Sequence, residues 1–273
     1  MAKAAQSATP AESGGVKSRS LRSNPMEYKS STHGAYERLR ADLLACRFKP
    51  GERLPINDLC QDLGVSLGAV REALSRLTSD GLVSSVPQRG FRAAPISAVD
   101  LQDLTYVRIE IEELCIKRAF AAGDLAWEAR VVAAYHQLSR TPTRAPHDSQ
   151  RANDAFTSAH SRFHEEIVSP CDSPWLLRLR ATLFAQSERY RALSFPLNRK
   201  ERDVNTEHRK LVDAVVSRDL GKAVELMRAH IEKTTRILLD AVADGDLGQQ
   251  FSKKPRTQAK AVRADEPRAA AAK

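Results

Sequence analysis

The sequence predicts a mainly α protein: a small helical module closed by a β-hairpin, followed by an all-helical antiparallel bundle. Three observations carry this expectation. The 273 residues are 42% hydrophobic but only 5% aromatic, the profile of an Ala/Leu-rich helical chain and not of a sandwich or barrel. Apolar residues recur at helical spacing from Tyr36 to Leu77 and again from about 100 to 243. Between these stretches, 82–94 alternates like two short strands around a Pro-Gln-Arg-Gly turn.

The elements follow in chain order. Tyr36, Leu39, Leu43 and Leu44 share one helical face that ends near Cys46, and Lys49-Pro50-Gly51 turns the chain. A short helix from Ile56 to Leu63 points Ile56, Leu59, Cys60 and Leu63 inward. Gly64 suits the left-handed residue that would end it. Ser66 is placed to cap a third helix, whose Val70, Leu74 and Leu77 face the same seam and which ends near Asp80-Gly81. Two short helices joined by a tight Gly-containing turn make a helix-turn-helix. The strands Leu82–Val86 and Phe91–Ala94 add a wing, whose Arg89 and Gly90 suit close approach to a minor groove. Gly64-Val65-Ser66-Leu67-Gly68 also matches the G-x-S-x-G nucleophile elbow, but the residues before it are helical and not a buried strand, so the serine reads as a cap.

From Asp100 to about Asp246 the pattern is helical almost throughout, with helices expected at 100–122, 124–139, 150–169, 173–194, 199–217 and 220–243. His160 and His164 lie one turn apart on one face, and His208 and His230 fall on later helices. Four imidazoles converging in a bundle would suit a divalent ion of the Zn or Ni type, whereas exposed histidine pairs are the commoner reason for such spacing. His160-Ser161-Arg162-Phe163-His164 is not HExxH, so a zincin protease gains no support.

Charge is weaker testimony. The formal charge is +9, but residues 1–30 hold five Lys/Arg against two acids and residues 249–273 hold seven against two, leaving a net +1 between them. The excess sits in Ala/Ser/Lys-rich tails expected to be disordered, which would add solubility and salt-sensitive attraction to DNA. Cys46, Cys60, Cys115 and Cys171 are far apart with no C-x-x-C pair, as expected of reduced thiols in a cytosolic protein. No apolar run approaches the roughly 18 residues needed to cross a bilayer, and residues 1–30 lack the apolar core of a secretory signal. The domain limits expected are a basic tail at 1–30, a DNA-binding module at 31–95, a helical bundle at 96–246 and a second basic tail at 247–273.

The runs Lys49–Leu54, Leu63–Leu77 (LGVSLGAVREALSRL), Gly81-Leu82-Val83 and Arg89-Gly90-Phe91 resemble the winged helix of the GntR family. The resemblance implies DNA contacts from Asn57, Ser66, Leu67, Gly68, Arg71, Gln88, Arg89 and Gly90. Many relatives carry Arg-Thr-Pro after the serine where this chain has Leu67-Gly68-Ala69, so the resemblance implies DNA binding but not the relatives' operator sequence. Phe163–Ile167, Ser173–Leu177, Glu207-His208-Arg209 and Met227–Ile231 resemble the FCD effector domain, which defines the FadR-like branch of that family. That resemblance implies a metal held by His164, His208 and His230, with His160 where many relatives have aspartate. It also implies a carboxylate effector, for which Arg108 and, less directly, Arg189 are the candidate partners. Together they imply a cytoplasmic, nucleoid-associated homodimer that binds double-stranded operator DNA as a repressor, answers to a small organic acid, and has neither catalysis nor a membrane. Two other readings stand beside this one: a metal-dependent enzyme built on the histidines, and an architectural DNA binder that senses nothing.

Overall fold

The computed structural model describes residues 25–197 and 202–244. The C-terminal tail and residues 1–24 of the N-terminal tail therefore lie outside the described residues. The first helix, α1 (Pro25–Leu44), opens six residues inside the segment expected to be tail. A two-residue strand, β1 (Arg53–Leu54), precedes α2 (Ile56–Leu63) and α3 (Leu67–Ser79). Gly64 ends α2 at φ 65°, and the Ser66 hydroxyl accepts from the Ala69 amide at 3.3 Å to start α3, so the sharp turn between them rests on local chemistry. The wing strands β2 (Val83–Val86) and β3 (Gly90–Ala93) pair antiparallel, and β1 adds to the other edge of β3. Leu39, Leu43, Leu54, Val70, Leu74, Leu77 and Leu82 close a single small core beneath.

The second half is a bundle of α4 (Ala98–Ala122), α5 (Leu125–Arg140), α6 (Asp154–Val168), α7 (Pro174–Ser194), α8 (Val204–Val216) and α9 (Leu220–Ala243). Side-chain caps mark their starts: Ser97, Asp124, Asn153, Ser173, Asp203 and Asp219 each accept from an amide in the first turn. Residues 150–152, expected as helix, instead belong to a hairpin of β4 (Arg144–Ala145) and β5 (Asp148–Ala152), because the Asn153 cap starts α6 only at Asp154. The core is built on Ile116, Trp127, Val131, Phe163, Leu211, Val215, Met227 and Ile231.

The apolar residues of α4 fall on two faces. Leu104 and Ile111 pack against the cores and Ile109, Glu112, Cys115 and Ile116 are buried, whereas Val107 and Leu114 are exposed. The Arg108 side of α4 thus faces the interior. Those charges are tolerated because α7 brings a second guanidinium, Arg180, against Glu112.

The two halves meet along α7. Gln186 Nε2 donates to the Asp80 carbonyl at 2.6 Å, Arg189 Nη2 donates to the Ala94 carbonyl, and the Cys46 thiol donates to the Arg189 carbonyl at 3.3 Å. Arg47, in the turn after α1, reaches Asp154 at 2.7 Å. Tyr190 and Leu101 join Ile96, Leu238 and Ala241 in a small apolar cluster at the same junction. All four cysteines are free thiols, with Cys115 and Cys171 buried. Among the described residues no helix is long and apolar enough to cross a membrane.

Candidate functional sites: an exposed recognition helix and a buried four-histidine chamber

On the winged helix, the turn and caps leave one polar surface open. Asn57, Ser66, Leu67, Gly68 and Arg71 are all exposed, and so are Gln88, Arg89 and Gly90 at the wing tip. Gln88 (φ 59°) and Gly90 (φ 82°) both take left-handed backbone, which folds the tip tightly and projects Arg89. No side chain lies within 4 Å of a Cβ built on Gly90, and only the Ser66 hydroxyl approaches one built on Gly68, at 3.9 Å. A backbone so bare at the start of the recognition helix and at the wing is the shape that lets DNA come close.

In the bundle, α6 places His160 and His164 one turn apart, α8 supplies His208 and α9 supplies His230. All four are buried, and one donor atom from each lies within 4.8 Å of every other. Burial pushes the pKa of His160, His164 and His208 well below the usual 6.5, and the neighbouring cations and imidazoles push the same way. His230 is lowered too, chiefly by burial, with Glu207 opposing. Four neutral imidazoles are the form that ligates a metal.

Their unsatisfied atoms say more. Both ring nitrogens of His164, Nδ1 of His160 and Nε2 of His208 are buried without a hydrogen-bond partner. Such atoms are costly unless something meets them, and the nitrogens gathered here fit a borderline-soft divalent ion. The outer side of His230 is already tied down. Its Nδ1 lies 2.9 Å from Glu207 Oε2, and Glu207 is gripped by Arg202 at 3.0 and 2.6 Å and by Lys233 at 3.0 Å. A carboxylate on the outer nitrogen leaves the other one to face an ion.

Around the histidines the wall is basic. Arg180 donates twice to Glu112 Oε1 at 3.0 and 2.9 Å and once to the His164 carbonyl at 2.8 Å. Arg108 stacks on the Phe184 ring at 4.9 Å, and its Nε is buried without a partner. A cavity of about 370 Å³ opens beside His160 and His230, with Arg144, Arg191 and Arg202 on its walls. A smaller space of about 30 Å³ lies between Arg108, His160, Glu188, Arg191 and His230.

The structure therefore brings all four sequence-predicted histidines together and turns Arg108 toward them. It does not bring Arg189 there. Arg189 is buried against the winged helix and donates to Ala94, because one residue step on α7 turns the side chain by about 100°. Arg191, two positions on, occupies the chamber wall instead. Glu207, Arg202, Arg191 and the Arg180–Glu112 pair were missed by sequence reasoning. The one signal was the adjacency Glu207-His208, and neighbours in a helix point apart, so it suggested no contact.

Comparison with known proteins places both halves. The family model described as "Bacterial regulatory proteins, gntR family" matches residues 32–92, and that of the FCD domain matches residues 103–233. The chain is 40% identical over 210 residues to the "Uncharacterized HTH-type transcriptional regulator BphR" of Paraburkholderia xenovorans (strain LB400), covering 77% of this chain and 86% of that protein. It is 34% identical over 215 residues to the "HTH-type transcriptional repressor GlaR" of Escherichia coli (strain K12), covering 76% and 96%. Among solved structures, E. coli McbR/YncC superposes with a TM-score of 0.65 at 20% identity, over 77% of this chain and 97% of that one. A GntR regulator from Rhodococcus sp. RHA1 superposes with a TM-score of 0.63 at 24% identity, over 78% and 99%. At that identity the two structures establish the fold alone.

Proposed function

The chain belongs to the GntR family of bacterial transcription regulators, in the branch that carries an FCD domain, and from that premise we propose that a small organic acid, bound beside a divalent ion in the bundle, sets its hold on operator DNA. It is a DNA-binding regulator and not an enzyme. The proposed division is a DNA-binding module at 31–95 and an effector module at 96–246.

One observation carries the sensing half of the reading. Four buried neutral imidazoles, three of them with orphaned nitrogens, form a cluster that reaches, through His160 and His230, a cavity walled by three guanidinia. An ion there has ligands to spare, and a carboxylate entering the cavity meets both the ion and the positive charge of the arginines on its wall. The ligand set and its nitrogen chemistry favour Zn²⁺ or Ni²⁺. Arg108 supplies further positive charge behind the histidines. On the DNA side, Asn57, Ser66, Leu67, Gly68 and Arg71 would face the major groove, and Gln88, Arg89 and Gly90 the adjacent minor groove.

Regulation then follows from a population shift between dimer geometries, the acid favouring one spacing of the two winged helices over the other. For the dimer, Val99, Tyr106, Val107 and Leu114 form an exposed apolar stripe on α4, beside exposed Trp175 and Leu179 on α7. A stripe of that kind on two packed helices suits a second copy across a two-fold axis, and a two-fold dimer suits a pseudo-palindromic operator. The protein acts as a repressor in the cytoplasm, at the nucleoid.

The test uses full-length protein stripped of metal and a duplex selected by it from a random pool. Thermal shift and fluorescence anisotropy are followed with Zn²⁺ or Ni²⁺ and a panel of small mono- and dicarboxylates. The expected result is an acid that raises the melting temperature only when metal is present and changes duplex affinity at least fivefold. If no carboxylate stabilises the metal-loaded protein, the sensing half of the reading is wrong. If no duplex is enriched, the assignment of the recognition surface fails instead.

A further inference from the structure

His160 sits in the four-histidine cluster with its Nδ1 buried and without a hydrogen-bond partner. Glu188, on the facing turn of α7, is itself buried, and its Oε1 lies 3.9 Å from that nitrogen. The carboxylate is held from behind by Arg191, whose Nε reaches Oε1 at 2.8 Å and whose Nη2 reaches Oε2 at 2.8 Å. Arg191 is steadied in turn by the Thr157 hydroxyl at 3.2 Å.

The same order of groups occurs on the opposite side of the cluster. There His230 Nδ1 meets Glu207 at 2.9 Å, and Glu207 is forked by Arg202, which is steadied by the Thr234 hydroxyl at 2.9 Å. One histidine–carboxylate–arginine–threonine chain is closed, and the other is open by about 1 Å relative to a hydrogen bond. Each carboxylate oxygen has two lone pairs, so the Arg191 fork leaves Glu188 able to accept from an imidazole N–H.

Charge argues in the same direction. An inner shell of four imidazoles brings no negative charge to a buried divalent ion, and the guanidinia around it add positive charge. The carboxylate nearest the Nδ1 of His160 is Glu188. We propose that Glu188 is a positioning residue for the metal centre: it accepts the Nδ1 proton of His160, fixes Nε2 toward the ion, and with Glu207 supplies the anionic charge that the inner shell lacks. This rests on the metal reading above, and adds to it that the centre has two outer carboxylates, one on α7 and one on α8.

The test measures metal affinity and not regulation. Metal-free full-length protein is titrated with Zn²⁺ against a chromophoric chelator, and with Co²⁺ by its visible absorption, for wild type, Glu188→Gln, Glu207→Gln, His160→Asp and His160→Asp/Glu188→Gln. Loss of an outer-shell partner of this kind weakens binding roughly 10- to 100-fold, so that fall is expected for Glu188→Gln and for Glu207→Gln. With a carboxylate at 160 there is no Nδ1 proton to accept, and Glu188→Gln should then change affinity by less than threefold. Glutamine keeps the shape of Glu188, and melting of the metal-free protein checks that the fold is intact. Should that variant not fold, Arg191→Lys, which loosens the fork and leaves Glu188 in place, is expected to weaken Zn²⁺ several-fold, and no change there overturns the proposal. It is also overturned if Glu188→Gln binds like wild type, or if Glu188→Gln costs the same in both backgrounds. Wild type that takes up no metal sinks the metal reading itself, a result distinct from failure at Glu188 alone.

Discussion

Acidifying the metal-free protein should destabilise it steeply between pH 7.5 and 5.5, and the four buried histidines set the size of the effect. Burial depresses the pKa of His160, His164 and His208 far below 6.5, so each stays neutral in the fold through this range, and His230 is lowered less because Glu207 opposes. On unfolding, each regains its ordinary value and takes up a proton below it. The unfolded chain therefore binds more protons, and stability falls as pH falls: it is complete above 6.5 and is lost progressively below. For one such histidine the loss from pH 7.5 to 5.5 is about 1.4 kcal/mol, so three contribute about 4 kcal/mol. Glu207 does not blur this window. Burial raises its pKa, but hydrogen bonds from His230, Arg202 and Lys233 outweigh that and hold it far below the usual carboxylate range.

Against a typical total of 5–15 kcal/mol, a loss of about 4 is large, and it corresponds to a fall in Tm of roughly 10 °C for a chain of this size. The assay is thermal melting by circular dichroism in EDTA across that range, with His160→Gln beside wild type. The variant removes one of the three fully depressed groups and should shrink the fall by about a third. Saturating Zn²⁺ at pH 7.5 should raise Tm, by about 4 kcal/mol of stabilisation at a thousandfold excess over Kd. A wild-type Tm that moves by less than about 3 °C between pH 7.5 and 5.5 would show that the histidines do not stay neutral and buried together.

Three further outcomes follow. Arg71→Ala should weaken binding to a selected operator by roughly tenfold or more, measured by anisotropy, while Arg118→Ala, which removes a surface pair with Asp172 on the bundle, should leave it unchanged. Gly123→Ala should lower stability by about 1–3 kcal/mol, because the new Cβ would stand 2.2 Å from Cε3 of the fully buried Trp127. Trp127 is held in place, since its Nε1 donates to the Glu166 carbonyl at 2.8 Å, so part of the loss should return in Gly123→Ala/Trp127→Phe, where the nearest clashing atom, Cε3, is gone. Arg180→Ala strands Glu112 in the interior and should cost about 3–5 kcal/mol in urea denaturation, with a good part recovered when Glu112→Gln is added. A neutral Arg180→Ala would mean that the pair is not buried as found.

Legibility in the sequence tracks how local each determinant is. The helix-turn-helix could be read because Gly64 and Ser66 fix their turn within three residues, and the wing because Gly90 and its neighbours do the same. His160 and His164 were legible as a pair through their one-turn spacing, but the chamber was legible only through the family resemblance, since His208 and His230 arrive from other helices. The partners that tune it left no local trace. Glu207 and Arg202 meet His230 across a helix pair, and Glu188 meets His160 from α7. The inward face of α4 was not legible for a related reason. That helix has apolar residues on two faces, and what turns the Arg108–Glu112 face inward is Arg180, 68 residues beyond Glu112.

Helix α7 touches both the DNA-binding module and the histidine chamber. Gln186 and Arg189, three apart, share the face that donates to Asp80 and Ala94 at the end of α3 and the end of the wing. Glu188 and Arg191, also three apart, share the face that closes the histidine chamber. Six consecutive residues span about 7.5 Å of helix, so the two sets of contacts are fixed to one rigid segment and cannot move independently. Closing the 3.9 Å gap between Glu188 and His160 by turning or sliding α7 would therefore displace the donors that hold the recognition helix and the wing. Hydrogen bonds to backbone carbonyls tolerate about half an ångström before they weaken. A shift of α7 itself by about 1 Å exceeds that tolerance, so the contacts from Gln186 and Arg189 to the DNA-binding module would have to readjust.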